Sequence, residues 1–137
     1  MNATFMSPFY RVATRAIILT PDKRLVLVED ENHELQVPGG GWEHDETFED
    51  CLRREVREEL GVEIVDFGPL LFTYRQQDKR GFVSLRLAVR VTPANYEFHA
   101  GDDMVAVKLI DKDEFTDIML CPGEGPIQNF ATQIWGS

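Results

Sequence analysis

The feature that most constrains this chain is a predicted amphipathic helix, Thr47–Leu60, whose apolar face includes two glutamates. On a helical wheel of about 100° per residue, Glu55 and Glu59 lie near the middle of the apolar arc. Thr47 is the expected N-cap, and Gly61 is expected to end the helix in a left-handed turn. Two carboxylates one turn apart on a buried face repel each other and lose solvation, unless a cation neutralises them.

A hard divalent ion with oxygen ligands, Mg²⁺ or Mn²⁺, is the natural partner of Glu55 and Glu59. Glu58 lies at the edge of the same arc, where Arg54 can pair with it one turn away while reaching the Glu55/Glu59 pair poorly. A run of glycines, Gly39-Gly40-Gly41, precedes the helix. Such a run is often a plain turn, but ahead of inward-facing carboxylates it can bring a carbonyl oxygen to a metal and leave room for a phosphate.

The charge of the chain narrows the classes of ligand. It has 24 Asp and Glu against 14 Lys and Arg, for a formal net charge of -10. Such a surface repels nucleic acids and anionic membranes, so an anionic small molecule needs a bridging cation. Cys51 and Cys121 show no CxxC spacing, and neither an export signal nor an apolar run of membrane-spanning length is visible. We therefore expect a cytoplasmic protein that binds neither nucleic acid nor membrane.

The rest of the chain predicts a single α/β domain over residues 1–137. Strands and helices are mixed rather than strictly alternating, which favours a mixed sheet flanked by helices. The first two strands are separated by Pro21-Asp22-Lys23-Arg24 and are expected to pair as a hairpin. The predicted strands are Arg15–Thr20, Leu25–Glu29, Leu35–Val37, Val62–Phe67, Leu70–Tyr74, Phe82–Thr92 and Met104–Ile110, and the final helix is Pro126–Trp135.

The segment Gly40–Val62 resembles the Nudix box, the signature of the Nudix hydrolases, at every defining position. A glycine is followed after five residues by a glutamate, and after seven more by Arg-Glu-Val-Arg-Glu-Glu-Leu-Gly-Val. Two positions nearby depart from the family, because Asp45 replaces a frequent glycine and Leu35 replaces a frequent tryptophan. Neither position is a metal ligand, so these departures bear on substrate contacts more than on catalysis.

The resemblance implies an α/β/α sandwich with a mixed β-sheet and a Mg²⁺-dependent pyrophosphatase activity. Nudix hydrolases typically cleave the diphosphate bond of a nucleoside diphosphate linked to another moiety, such as a nucleoside triphosphate or a nucleotide sugar. By position, Arg54 is implied to orient the glutamates, and Glu46 to be mainly structural at the helix entrance. The implied metal-binding and water-positioning groups are Glu55, Glu58, Glu59 and the main-chain carbonyl of Gly39 or Gly40.

The general base has two candidate locations. Glu58 is a reasonable acceptor of the water proton, and with Arg54 and Glu55 it forms the expected catalytic group. In some family members the base comes instead from a loop late in the sheet. The acids of that region in this chain, which are equally well interpreted as solvated loop charges, are Glu97, Asp102 and Asp103.

Four side chains outside the box are candidates for substrate binding. Arg75 and Arg80, together with Lys79, form a basic cluster that marks a hairpin tip or contacts terminal phosphates. Tyr74 either stacks on a base or belongs to the core. His44 is assigned by its location near the helix entrance, although a loop histidine is usually a surface residue. The aromatic residues ahead of the first strand, expected to cover the substrate mouth or the second subunit of a homodimer, are Phe5, Phe9 and Tyr10.

Two other functions stay open at this point. A Nudix-fold isomerase of a prenyl diphosphate needs additional cysteine and glutamate or histidine chemistry, which this sequence does not place. A non-catalytic nucleotide-binding sensor usually lacks box glutamates, whereas this chain retains all of them. The nucleotide derivative itself is not indicated, because Pro69, Tyr74 and Pro93 do not match the spacing of the ADP-ribose or dinucleoside-polyphosphate enzymes.

Overall fold

The computed structural model of the chain describes residues 8–78 and 80–136. Its strands are β1 (Arg11–Ile17), β2 (Leu25–Asp30), β3 (Leu35–Gln36), β4 (Gly39–Gly41), β5 (Ile64–Gln77), β6 (Val83–Pro93) and β7 (Met104–Ile110). Its helices are α1 (Phe48–Leu60), α2 (Lys112–Phe115), a 3₁₀ helix (Gly125–Phe130) and α3 (Ala131–Trp135). None of the helices in these two ranges has the length and hydrophobicity that crossing a bilayer requires.

The strands form a four-stranded sheet in the order β4-β1-β6-β5 and a three-stranded sheet in the order β3-β2-β7. Within the larger sheet β1 pairs in parallel with β6, while β4 and β5 join antiparallel to β1 and β6 respectively. The predicted α/β class and the mixed sheet are therefore confirmed. Strand β4 lies at an edge of the larger sheet, next to β1.

Alternation along β1 and β2 places hydrophobic side chains on two faces. Ala16 and Val26 belong to a core cluster with Leu52 and Val56 of α1. Ile17, one residue away on β1, belongs to a second cluster that includes residues from the C-terminal helices. Because successive strand residues point to opposite faces, the sheets carry α1 on one side and the C-terminal helices on the other.

Helix α1 begins and ends where its sequence predicts. The Thr47 hydroxyl accepts a hydrogen bond of 3.0 Å from the backbone N–H of Asp50 and so caps the helix. Gly61 has a φ of 71°, in the left-handed region, and its N–H donates to the carbonyl of Arg57 at 3.0 Å. Glu59 is buried in the body of the helix, as the helical wheel predicts.

The predicted hairpin between the first two strands is wrong in its pairing. The turn forms, since the N–H of Thr20 donates to the carbonyl of Arg24 at 2.9 Å and Leu19 bridges Leu25. Beyond that bridge β1 and β2 diverge into different sheets, because both edges of β1 are taken by β4 and β6. Strand β1 begins at Arg11, earlier than predicted. The prediction missed this start because polar residues interrupt the apolar pattern there.

Three further boundaries differ from the predictions. The two strands predicted over residues 62–74 are one strand, β5, with register shifts on either side of Leu70. The glycine run is strand β4 rather than a turn. The sequence did not predict this strand, because three glycines show no alternation of apolar and polar side chains. The predicted final helix is a 3₁₀ helix followed by the short helix α3.

Candidate active site

Helix α1 and strand β4 bring the buried carboxylate of Glu59 and the partly buried carboxylate of Glu55 against the glycine run. The Glu59 Oε1 atom accepts a hydrogen bond of 2.9 Å from the backbone N–H of Gly39. A Cβ atom at Gly40 would overlap the carboxylate of Glu55, and one at Gly39 would overlap the carbonyl oxygen of Thr14. Gly39 therefore lets β4 lie close to β1, and Gly40 leaves room for the carboxylate of Glu55 beside the strand.

The electrostatics of this pair follow from burial. Desolvation raises the pKa of Glu59 to about 7, although the Gly39 N–H and the nearby guanidinium of Arg15 oppose the shift. Burial also raises the pKa of Glu55, and the neighbouring Arg54 opposes this shift. The protein groups around the two carboxylates thus leave their negative charge incompletely neutralised. Hard oxygen donors in this state are suited to a divalent cation.

The guanidinium of Arg54 connects the helix entrance to the carboxylates. Its Nη2 and Nε atoms donate to the two carboxylate oxygens of Glu46 at 2.8 and 3.2 Å, and this contact lowers the pKa of Glu46 to about 2. Its Nη1 atom donates to Glu55 at 2.8 Å and lies 3.7 Å from Glu58. The prediction that Arg54 reaches the glutamate pair poorly is wrong for Glu55, because Glu46 holds the other edge of the guanidinium and turns Nη1 toward that carboxylate.

The candidate bases lie in two places. The Glu58 side chain is 40% exposed, so it reaches solvent while remaining beside Arg54. The loop with the late acids packs against the end of α1, where the N–H of Gly101 donates to the carbonyl of Glu59 at 3.2 Å. Each acid of that loop is exposed, so the choice between the two locations stays a prediction; these acids are Glu97, Asp102 and Asp103.

The four substrate-binding residues predicted from the sequence do not converge on one cavity. Tyr74 is buried, and its hydroxyl donates to Glu124 at 2.9 Å. Arg75 donates to the hydroxyl of Tyr10 at 2.9 Å, Arg80 pairs with Asp78 at 3.1 Å, and His44 is exposed on its loop. Their roles stay predictions. Lys79 and Phe5 lie outside the described residues.

A cavity that the sequence did not indicate lies on the other side of strand β4. It has a volume of about 120 Å³, and its lining includes three arginines, Arg11, Arg15 and Arg86. We call this cavity the arginine pocket. Parallel pairing of β1 with β6 places Ala13 opposite Arg86 and so brings distant parts of the chain together. The available signal was the i, i+4 spacing of two arginines along β1, which share a face of the strand.

Comparison with known proteins assigns this geometry to a family. The family described as the NUDIX domain matches residues 9–127. A MutT-like protein from Streptomyces ambofaciens is 30% identical over 113 residues, which cover 82% of this chain and 71% of the relative. The chain belongs to the Nudix family. The resemblance that its sequence shows is thereby confirmed.

Solved Nudix structures have the same fold. The MutT protein from Methanosarcina mazei Go1 superposes with a TM-score of 0.79 at 14% identity, covering 91% of this chain and 92% of that one. A MutT NUDIX hydrolase from Burkholderia pseudomallei has a TM-score of 0.74 at 18% identity, covering 93% and 99%. At these identities the likeness concerns the fold alone.

Family membership confirms the predicted class of enzyme, a Nudix hydrolase that acts on phosphoric anhydride bonds. Nudix enzymes generally use divalent metal ions, and the two carboxylates on helix α1 fit that requirement. Glu55 and Glu59 offer hard oxygen donors whose burial already disfavours the charged form without a cation.

Proposed function

We propose that this Nudix protein is a Mg²⁺-dependent hydrolase that cleaves the diphosphate bond of a nucleoside diphosphate linked to another moiety. The observation that carries the proposal is the convergence of Glu55 and Glu59 on Gly39 and Gly40. Mn²⁺ has the same preference for oxygen ligands and is the expected substitute. Both free cysteines, Cys51 and Cys121, suit the reducing cytoplasm in which we propose that the enzyme works.

The residues proposed to hold the ion are Glu55, Glu58, Glu59 and the carbonyl of Gly39 or Gly40. When bound, Mg²⁺ offsets the negative charge of the diphosphate, polarises a phosphoryl oxygen and lowers the pKa of the attacking water. The chain itself positions these donors. The N–H of Gly39 holds one carboxylate at 2.9 Å, and the guanidinium of Arg54 holds Glu55 at 2.8 Å.

Glu58 is the proposed general base. It lies on the same helix as Glu55 and Glu59, but its side chain is 40% exposed and is therefore open to a water molecule. Arg54 lies 3.7 Å from its carboxylate, close enough to orient it without a committed short contact. A carboxylate in this position can accept the proton of the attacking water as the phosphoryl bond forms.

The experiment that tests the function is hydrolysis by purified protein with Mg²⁺ of nucleoside triphosphates, nucleotide sugars, ADP-ribose and diadenosine polyphosphates. We expect turnover of at least one class and loss of turnover after addition of EDTA. The Glu59→Gln variant should lose at least about a hundredfold in rate, since a metal ligand is removed. Glu49→Gln, an exposed acid on the same helix, is the matched control and should retain activity.

Two outcomes contradict the proposal. Undiminished activity of Glu59→Gln would remove the metal assignment. The absence of turnover across the whole panel would favour a protein that binds nucleotides without cleaving them, or the isomerisation of a prenyl diphosphate. The proposed substrate is a small molecule, and a homodimer stays a prediction.

A further inference from the structure

The arginine pocket contains two guanidinium groups, those of Arg11 and Arg15, that form no ion pair with a carboxylate of the described residues. Arg86 is paired with the buried Glu124 at 2.6 Å, and Asp78, the acid that lines the pocket, is paired with Arg80 at 3.1 Å. Across residues 8–78 and 80–136, neither Arg11 nor Arg15 forms an ion pair with a carboxylate. In a chain of net charge -10, two such guanidinium groups facing one cavity point to an anionic ligand.

Arg15 gives the most direct indication of an anionic ligand. Its side chain is almost fully buried, with the residue only 4% exposed, and its Nη1 atom donates to the carbonyl of Val37 at 2.8 Å. Its Nε–H has no hydrogen-bond partner within the described residues. A buried charged donor without an acceptor is costly, and an oxyanion bound beside Arg15 would offer that acceptor.

The pocket adjoins the carboxylate site across strand β4. A Cβ atom at Gly40 would point at Glu55, whereas one at Gly41 would lie 3.0 Å from the Nη2 atom of Arg11. Successive residues of a strand face opposite sides of the sheet, so the carboxylate site and the pocket lie on opposite faces of β4. Because β4 is an edge strand, no further strand of the larger sheet lies beyond it. The carboxylate site and the arginine pocket therefore adjoin the same short strand, through Gly40 and Gly41 respectively.

The size of the cavity restricts what it can bind. Its volume of about 120 Å³ is well below the roughly 300–1,000 Å³ of a complete small-molecule site. The cavity therefore accepts one part of a substrate rather than the whole of it. Guanidinium groups bind phosphate and carboxylate through paired N–H donors, which a neutral sugar does not match.

We infer that the arginine pocket binds an oxyanion on the moiety attached to the scissile diphosphate, with Arg11 and Arg15 as the specificity-determining residues. The inference rests on the proposed function. It narrows the substrate class to nucleoside diphosphate derivatives whose attached moiety is itself anionic. A terminal phosphate, as in a nucleoside triphosphate, and a carboxylate, as in an acidic nucleotide sugar, are the two sources of that group.

Binding is tested first without catalysis, by titrating inorganic pyrophosphate into the full chain in EDTA and recording ¹H–¹⁵N spectra of arginine side chains. We expect a saturable shift of the Arg15 Nε–H signal. Arg11→Gln, a change at an exposed side chain, should weaken this binding about ten- to a hundredfold, as expected for loss of a charge-assisted hydrogen bond. Arg15→Lys keeps the charge and tests the Nε–H itself, and it should also weaken binding.

Arg24→Gln is the matched control. Arg24 is an arginine in the turn beyond the opposite end of β1, where it pairs with Asp22 at 2.9 Å and does not line the pocket. Its variant should bind pyrophosphate as the parent protein does. Equal weakening by Arg24→Gln and Arg11→Gln, or no shift of the Arg15 signal at saturating pyrophosphate, overturns the inference.

Kinetics then distinguish the source of the oxyanion. Nucleoside triphosphate is compared with diphosphate, and UDP-glucuronate with UDP-glucose, by kcat/KM in the parent protein and in Arg11→Gln. The preference for the anionic member of one pair should fall about tenfold or more in Arg11→Gln. A reduced preference for the triphosphate shows that the pocket binds a phosphate, and a reduced preference for UDP-glucuronate shows that it binds a carboxylate. An unchanged preference in both pairs overturns the inference.

Failure of this inference is separable from failure of the proposed function. Mg²⁺-dependent hydrolysis that is indifferent to Arg11→Gln keeps the function and rejects the pocket assignment. Pyrophosphate binding that depends on Arg11, combined with no hydrolysis of any substrate, keeps the pocket assignment and rejects the function.

Discussion

The Glu59 carboxylate accepts a 2.9 Å hydrogen bond from the backbone N–H of Gly39, a residue of the strand that α1 packs against. This contact ties the helix to the edge strand through a group that burial makes difficult to ionise. It also orients a carboxylate oxygen toward the glycine run. The same pair therefore serves the packing of the fold and the geometry of the candidate metal site.

Burial of the Glu59 charge should destabilise the metal-free protein. Its folded-state pKa is raised from 4.5 to about 7, so its ionisation costs stability above pH 7, and the cost disappears below about pH 4.5. In EDTA at pH 8 we expect Glu59→Gln to be more stable by about 1–3 kcal/mol in urea unfolding. Added Mg²⁺ should stabilise the parent protein and not the variant. A variant that is less stable in EDTA contradicts this account.

A side chain at Gly40 should damage activity more than folding. Its Cβ atom would displace the carboxylate of Glu55, which is the mobile end of a side chain rather than fixed backbone. We expect Gly40→Ala to remain folded by circular dichroism and to lose about ten- to a hundredfold in kcat/KM at fixed Mg²⁺. Gly125→Ala is the control, because nothing lies within 4 Å of a Cβ atom there. Full activity of Gly40→Ala would show that the position of Glu55 is not critical.

Loss of the Arg54 guanidinium should weaken catalysis without strongly unfolding the protein. Arg54→Gln removes the contacts to Glu46 and Glu55 that hold the latter in place, so we expect a decrease of about ten- to a hundredfold in activity. The comparison is Arg57→Gln, which removes an exposed pair with Glu63. That variant should leave the rate unchanged and change stability little, because an exposed ion pair contributes little to folding. Equal losses in both variants would argue against a positioning role for Arg54.

The Glu46–Arg54 contact predicts a dependence of stability on pH. The folded-state pKa of Glu46 is lowered from 4.5 to about 2, chiefly by the hydrogen bonds from Arg54. The contribution of this carboxylate is therefore complete above about pH 4.5 and is lost as the pH falls toward 2. In urea unfolding, Glu46→Gln should be less stable than the parent protein at pH 7, and the difference should shrink at pH 2.5. A difference that stays constant between these pH values would exclude the ion pair as its cause.

Short-range chemistry accounts for what could be predicted at the site. The N-cap at Thr47, the left-handed Gly61 and the inward position of Glu59 all depend on residues within a few turns of one another. The hydrogen bonds at a helix end and the periodicity of a helix involve residues close in sequence, so both can be predicted from the sequence. The contact between Arg54 and Glu55 was missed even at this range, because it depends on how Glu46 orients the guanidinium.

Local sequence patterns identify the Nudix family, helix α1 and the carboxylates that this helix presents. Contacts between distant segments set which strands share a sheet, and the parallel pairing of β1 with β6 brings Arg11, Arg15 and Arg86 into one pocket. The physical reason is the separation along the chain of the residues that interact. Helix caps and side-chain periodicity act between neighbours, whereas strand partners are selected by competition among all the strand edges of the chain.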